Sequence, residues 1–135
     1  MKLTIERLTN LTHQDLIDLA KIWPEQQQTT WLQWINDGKP LFAARFNERL
    51  LGAVKVMVDG QQAELEDLYV REVTRRRGVG LYLIEETLRQ LPTIQQWHLS
   101  DKQVVAANYE AMDGFMLACG FSHNKQGWQR QVFWQ

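Results

Sequence analysis

Leu68-Tyr69-Val70-Arg71-Glu72-Val73-Thr74-Arg75-Arg76-Arg77-Gly78-Val79-Gly80 decides the fold. The residues before it, Ala63 to Val70, read as a strand. From Val79 to about Gln90 the chain reads as a helix, with Leu81, Ile84, Leu88 and Leu91 on one face. Between the two lie four arginines in seven residues and two glycines one residue apart. Glycine lacks a Cβ and lets the backbone approach a ligand closely. The first amides of a helix have no intrahelical partner, and the dipole there favours an anion. Arginine adds planar, permanently charged donors that match phosphate. The pattern is that of a phosphate site at a helix start.

The totals limit what that site serves. The chain has 135 residues and a net charge of −1, with 44% hydrophobic residues. That suits one domain, spanning residues 1–135, with one core. A near-neutral chain is not a nucleic-acid binder of the strongly basic kind, so the basic run is local and fits a small anion. Cys119 is the single cysteine, which excludes an internal disulfide and fits a reducing compartment. Met1 to Arg7 has no apolar core of a signal peptide, and no stretch approaches the roughly 20 apolar residues of a membrane span. The expectation is a cytoplasmic chain with no membrane partner. Six tryptophans are many for this length, and most are expected to fill the core.

Outward from the glycines, the elements follow in order. Leu3 to Leu8 reads as a short strand. Thr12 caps a helix whose apolar face is Leu16, Leu19, Ile22 and Trp23, and Pro24 closes it. A short helix covers Thr30 to Asn36. Leu41 to Phe46 and Leu50 to Val58 form a hairpin through Asn47-Glu48-Arg49, and Asp59-Gly60 turns into the strand Ala63 to Val70. Ile94 to Leu99 is a strand. Val105, Tyr109, Met112, Met116 and Cys119 are spaced as one buried helix face, ended by Gly120-Phe121. Trp128 to Phe133 is a last strand. The order β-α-α-β-β-β-α-β-α-β(β) gives an α/β domain with a mixed central sheet and about four flanking helices.

This order resembles the GCN5-related N-acetyltransferase (GNAT) fold over nearly the whole chain. The strand end Leu68-Tyr69-Val70 and the loop Arg75-Arg76-Arg77-Gly78-Val79-Gly80 match that family's R/Q-x-x-G-x-G/A signature. The resemblance implies a site for acetyl-CoA or CoA. The backbone of Leu68 and Val70, with Tyr69 between them, would pair with the pantetheine arm like another strand. Thr74, Arg75, Arg76, Arg77, Gly78, Val79, Gly80 and Leu81 would hold the pyrophosphate. A narrower resemblance rests on Lys21-Ile22-Trp23-Pro24-Glu25, on Ala43 to Leu51 and on the wording Arg71-Glu72-Val73-Thr74-Arg75-Arg76-Arg77. The wider fold has proline at Glu72 and commonly glycine at Arg76. These segments look like the maturation and regulatory factors of aspartate 1-decarboxylase. That implies a monomer which docks, with CoA, on the tetrameric decarboxylase. It would promote self-cleavage of the precursor and restrain the mature enzyme. The same resemblance places Arg45 and Asn47 in the contact with that partner. Gln26 to Lys39 and the end from Gln129 to Gln135 are longer than in those factors, which bears on either the interface or the sheet edge.

Acetyl transfer needs a base for the amine and an acid for the leaving thiolate. Many members of the wider fold place a tyrosine four residues before the Gly-Phe pair. Here that position is Met116, whose thioether donates no proton. Tyr109 lies seven residues further back. The expectation is therefore no catalytic residue, with an active N-acetyltransferase as the alternative. Glu64, Glu66 and Asp67 could supply a base, and Asp101 and Glu110 are weaker candidates; surface charge is the favoured reading of all five. His13, His98 and His123 show no metal-ligand spacing, and no metal is expected. Cys119 follows the apolar periodicity and reads as core.

Overall fold

Strands β2 (Leu41–Phe46) and β3 (Arg49–Asp59) run apolar on both faces, the mark of strands covered on two sides. The computed structural model describes residues 2–71 and 78–133. Its seven strands form one sheet in the order β1-β2-β3-β4-β5-β7-β6. The remaining strands are β1 (Thr4–Arg7), β4 (Gln62–Val70), β5 (Gln96–Ser100), β6 (Ser122–Asn124) and β7 (Gly127–Gln131). All neighbours are antiparallel except β4 and β5. The resulting mixed sheet with its four helices has the architecture that the GNAT resemblance implied.

Helices α1 (His13–Ile22) and α2 (Gln28–Asn36) cover one face through Leu19, Ile22, Trp23 and Trp31, packed on Leu41, Ala43, Leu50 and Ala53. Helices α3 (Val79–Gln90) and α4 (Tyr109–Ala118) cover the other through Leu83, Ile84, Leu88 and Met116, packed on Phe42, Val54, Leu65 and Trp97. Helix α1 starts as its sequence dictates. The Thr12 hydroxyl accepts from the Asp15 amide, and the Asp15 carboxylate accepts from the Thr12 amide, a reciprocal cap. Trp23, Trp31, Trp97 and Trp128 are buried, as the tryptophan count implied.

Most element ends fall within two residues of expectation, and three places differ in kind. Helix α4 begins at Tyr109; Val105 lies outside it and is 62% exposed, because two single 3-10 turns, Asp101–Gln103 and Ala106–Asn108, take up the chain. Strand β5 starts at Gln96; Ile94 is buried, but its amide closes a turn onto Leu91 O. The last strand, β7, runs from Gly127 to Gln131 and stops short of Phe133, and a short β6 precedes it across a turn at Lys125-Gln126. The long segments find places here. Residues 26–39 contain α2, which seats Trp31 in the core, and Gln129–Gln131 complete β7 against β5.

Candidate functional site

Beta bulges leave one strand a residue longer than its neighbour and bend it. The pairing of β3 with β4 slips between Ala53 and Lys55, opposite Asp67 and Leu68. Asp67 itself has φ +54°, a left-handed conformation unusual for a residue other than glycine. Four side chains hold it there. Trp23 Nε1 donates to Asp67 O at 2.8 Å, and Lys55 Nζ lies 2.9 Å from its carboxylate. Gln26 Nε2 donates to the same carboxylate at 3.1 Å, and the Asp67 amide donates to Gln103 Oε1 at 3.1 Å. Lys55 is 3% exposed and sits 4.8 Å from the Trp23 ring centroid, so its charge is held by a carboxylate, an amide oxygen and an aromatic face together.

The bulge turns β4 away from β5. The two strands pair only at Gln62–Glu64 with Gln96–His98. On the other edge β4 stays with β3, through Gly52–Val70 and Ala53–Tyr69. Beyond Glu64 a slot therefore opens between two parallel strands, with the backbone of Leu68 to Val70 along its wall. The end of β4 on that side approaches the start of α3 at Val70 and Gly80. Gly78 caps that helix with φ +78°, and a Cβ there would meet nothing within 4 Å. Its requirement is conformational. Gly80 differs: a Cβ on it would lie 2.9 Å from the Phe115 ring, so the packing of α3 on α4 requires this glycine. The end of β4 thus meets the start of α3: a Cβ on Gly80 would lie 3.4 Å from the Val70 side chain, and Leu68 and Val70 pack on the cluster that holds Val79. Thr74, Arg75, Arg76 and Arg77 lie outside the described residues.

The acid–base candidates separate. Met116 is wholly buried in the core. The Tyr109 hydroxyl shares a hydrogen bond with His123 Nε2, and both rings pack on Trp128. Glu64 and Glu66 face the same side of the sheet, paired across from Met57 and Lys55. Burial, with Glu64 and Asp67 nearby, raises the Glu66 carboxyl above its ordinary range despite Lys55 and Lys39. Burial pushes the Cys119 thiol up to about 12, with Glu85 adding to it and Arg130 opposing, so it is no nucleophile at neutral pH. A groove of about 720 Å3 lies on the sheet face beyond α1 and α2, with Asp59, Glu64, His98, Asp101, Lys102 and Lys125 around it. Among the described residues no group of three or more His, Cys, Asp or Glu could hold a metal. No helix there is long and apolar enough to cross a membrane.

Arg45 and Asn47 sit at the β2–β3 hairpin. Asn47 and Glu48 both have positive φ, 52° and 65°, as a two-residue hairpin turn of the I′ kind demands. Asn47 is exposed. Arg45 is tied inward: its Nε lies 2.6 Å from Glu6 and its Nη1 3.0 Å from Asp15. Beside it, Arg49 grips Asp18 at 2.7 Å, and Asp18 also accepts from the Leu50 amide. Sequence reasoning missed Asp15 and Asp18 as anchors. Their signal was acidic residues at the spacing of the apolar face of α1, where carboxylates are buried only when paired.

Burial pushes the Asp18 carboxyl up. The hydrogen bonds from Arg49, Leu50 and Gln14, and the Arg49 charge, outweigh it and hold the group below its ordinary value. A lowered carboxyl stabilises the fold above its unfolded pKa of about 3.9, and that stability is lost as pH falls through the folded value. We expect Asp18→Asn to lower stability by about 2 kcal/mol at pH 7 and to flatten the acid limb below about pH 4. Urea unfolding at several pH values checks this. Equal acid limbs in both proteins would remove Asp18 from the account.

The chain is similar to known proteins over nearly its whole length. The family model described as the PanZ acetyltransferase (GNAT) domain matches residues 2–129. The PanD regulatory factor of Salmonella typhimurium is 47% identical over 131 residues, which is 97% of this chain and all of the relative. That of Escherichia coli K12 is 49% identical over 130 residues, 96% of this chain and 99% of the relative. A solution structure of the E. coli protein YhhK, described as an N-acetyl transferase and bound to coenzyme A, superposes with a TM-score of 0.84. It has 47% identity and covers 98% of this chain and all of that one.

Proposed function

We propose a function from the fact that this chain belongs to the PanZ family of GNAT acetyltransferase domains: it is a CoA-dependent regulator of aspartate 1-decarboxylase. The ligand is acetyl-CoA or CoA. The observation that carries this reading is the slot beside β4, opened by the Asp67 bulge, with the end of β4 close to the start of α3, which the left-handed Gly78 caps. The amides of pantetheine add to the Leu68 and Val70 backbone as a strand would. The pyrophosphate takes the α3 start, with Val79, Gly80 and Leu81 and the segment Thr74, Arg75, Arg76 and Arg77 around it. The relatives named PanD regulatory factors support the partner, and the CoA-bound E. coli structure supports the ligand.

Docking on the decarboxylase precursor promotes the backbone self-cleavage that forms its pyruvoyl group. The CoA-bound form also restrains the mature tetramer. A regulator does this by binding the reactive backbone conformation better than the unreactive one, and only by that difference. CoA dependence then means that ligand and partner are coupled, each strengthening the other's binding. The contact surface is the β2–β3 hairpin, with Asn47 outward and Arg45 beside it. Because Arg45 is already paired with Glu6 and Asp15, its larger part is to brace the tip.

The test is to mix the protein with uncleaved precursor, with and without acetyl-CoA, and follow the chain split by mass. We expect acceleration that depends on acetyl-CoA. No acceleration under either condition would sink this function. A second reading, acetyl transfer to an amine, is favoured by the raised Glu66 carboxyl and by Glu64 lining the open groove. It predicts steady release of free thiol with some amine. Against it stands Met116, fully buried where an acid would be needed.

A further inference from the structure

Where β4 and β5 part, the β4 edge still presents peptide groups that need partners. One side chain supplies them. Gln103 Nε2 donates to Leu65 O at 2.9 Å, and Gln103 Oε1 accepts from the Asp67 amide at 3.1 Å. The same Nε2 lies 3.3 Å from Glu64 Oε1. A primary amide carries a donor and an acceptor, so this side chain stands in for one peptide of a missing strand. The single 3-10 turn Asp101–Gln103 delivers it. Ser100 caps that turn by accepting from the Lys102 amide, and the Val104 amide closes it onto Asp101 O.

We propose that Gln103 is the depth stop of the cofactor slot and so determines which acyl groups fit. The inference rests on the CoA reading above. With pyrophosphate at the α3 start, the pantetheine arm runs back along β4 past Val70 and then Leu68. The next rung in that direction, Asp67 N–H and Leu65 C=O, is filled by Gln103. A thiol or short thioester ends against the Gln103 carboxamide. A longer acyl chain must displace that amide and leave both backbone groups without their partner. It also brings an apolar tail against Glu64.

Calorimetry with CoA, acetyl-CoA and octanoyl-CoA on the wild type and on Gln103→Ala tests this. The wild type should bind octanoyl-CoA more weakly than acetyl-CoA by about tenfold or more. Gln103→Ala should reduce that gap to within about threefold, and Gln103→Ser should do the same. Equal wild-type affinity for acetyl-CoA and octanoyl-CoA would overturn the depth stop. So would variants that weaken all three ligands by one factor, which is what a merely structural Gln103 would give. A wild type that binds none of the three would instead overturn the CoA reading itself.

Discussion

Gly127→Ala should lower the melting temperature by about 10 °C, corresponding to about 3 kcal/mol. A Cβ at this position would lie 2.1 Å from Leu99 O and 2.7 Å from the Asp101 amide, both backbone atoms that no rotamer change can move. Its φ of +143° adds strain for any L side chain. The site is where β7 meets the end of β5, through Ser100–Gly127 and the Asp101 amide on Gln126 O. Relief of the clash must pull these strands apart. Gly114→Ala is the control: it lies in α4 with open space around it, and should be neutral or slightly stabilising by about 0.5 kcal/mol. Thermal unfolding followed by circular dichroism decides it. A Gly127→Ala melting point within about 2 °C of the wild type would mean that the close approach of β7 to β5 does not exist.

Gly127 also shows where the sequence could and could not be read. The strand and helix periods were legible because they are set by residue type within one element. Leu41 to Phe46 and Val79 to Gln90 came out at their observed bounds for that reason. The family followed from the glycine loop and from the wording before it. What stayed hidden depends on contacts between elements distant in the chain. The bulge at Asp67 needs Trp23, Gln26, Lys55 and Gln103, from three different segments, and no local pattern announces it. Gly78 and Gly80 look alike in sequence, but one is a left-handed cap and the other makes room for Phe115. Val105 kept the helical spacing yet lies outside α4, because periodicity does not register the two short turns that precede Tyr109. The Glu and Asp candidates for a base were visible as residues. Which of them faces the slot follows from the sheet register.

The largest effect on ligand binding should come from Gly78→Asp, with acetyl-CoA affinity reduced by about 100-fold or more. Bulk is not the cause, since a Cβ here meets nothing within 4 Å. The residue sits at φ +78°, a conformation that aspartate and asparagine tolerate better than other side chains, so the fold should survive. Charge is the cause. A carboxylate about 5 Å from a phosphate at an effective dielectric of about 20 costs about 3 kcal/mol. It also cancels the field of the α3 start, which favours an anion. Gly78→Asn has nearly the same shape and the same backbone tolerance without the charge, and should stay within about fivefold of the wild type. The gap between the two variants should narrow as salt is raised, because exposed charges are screened. Calorimetry at low and high ionic strength reads all of this. If Asp and Asn bind alike at low salt, the anion is not held at this helix start, and the site assignment would have to move away from α3.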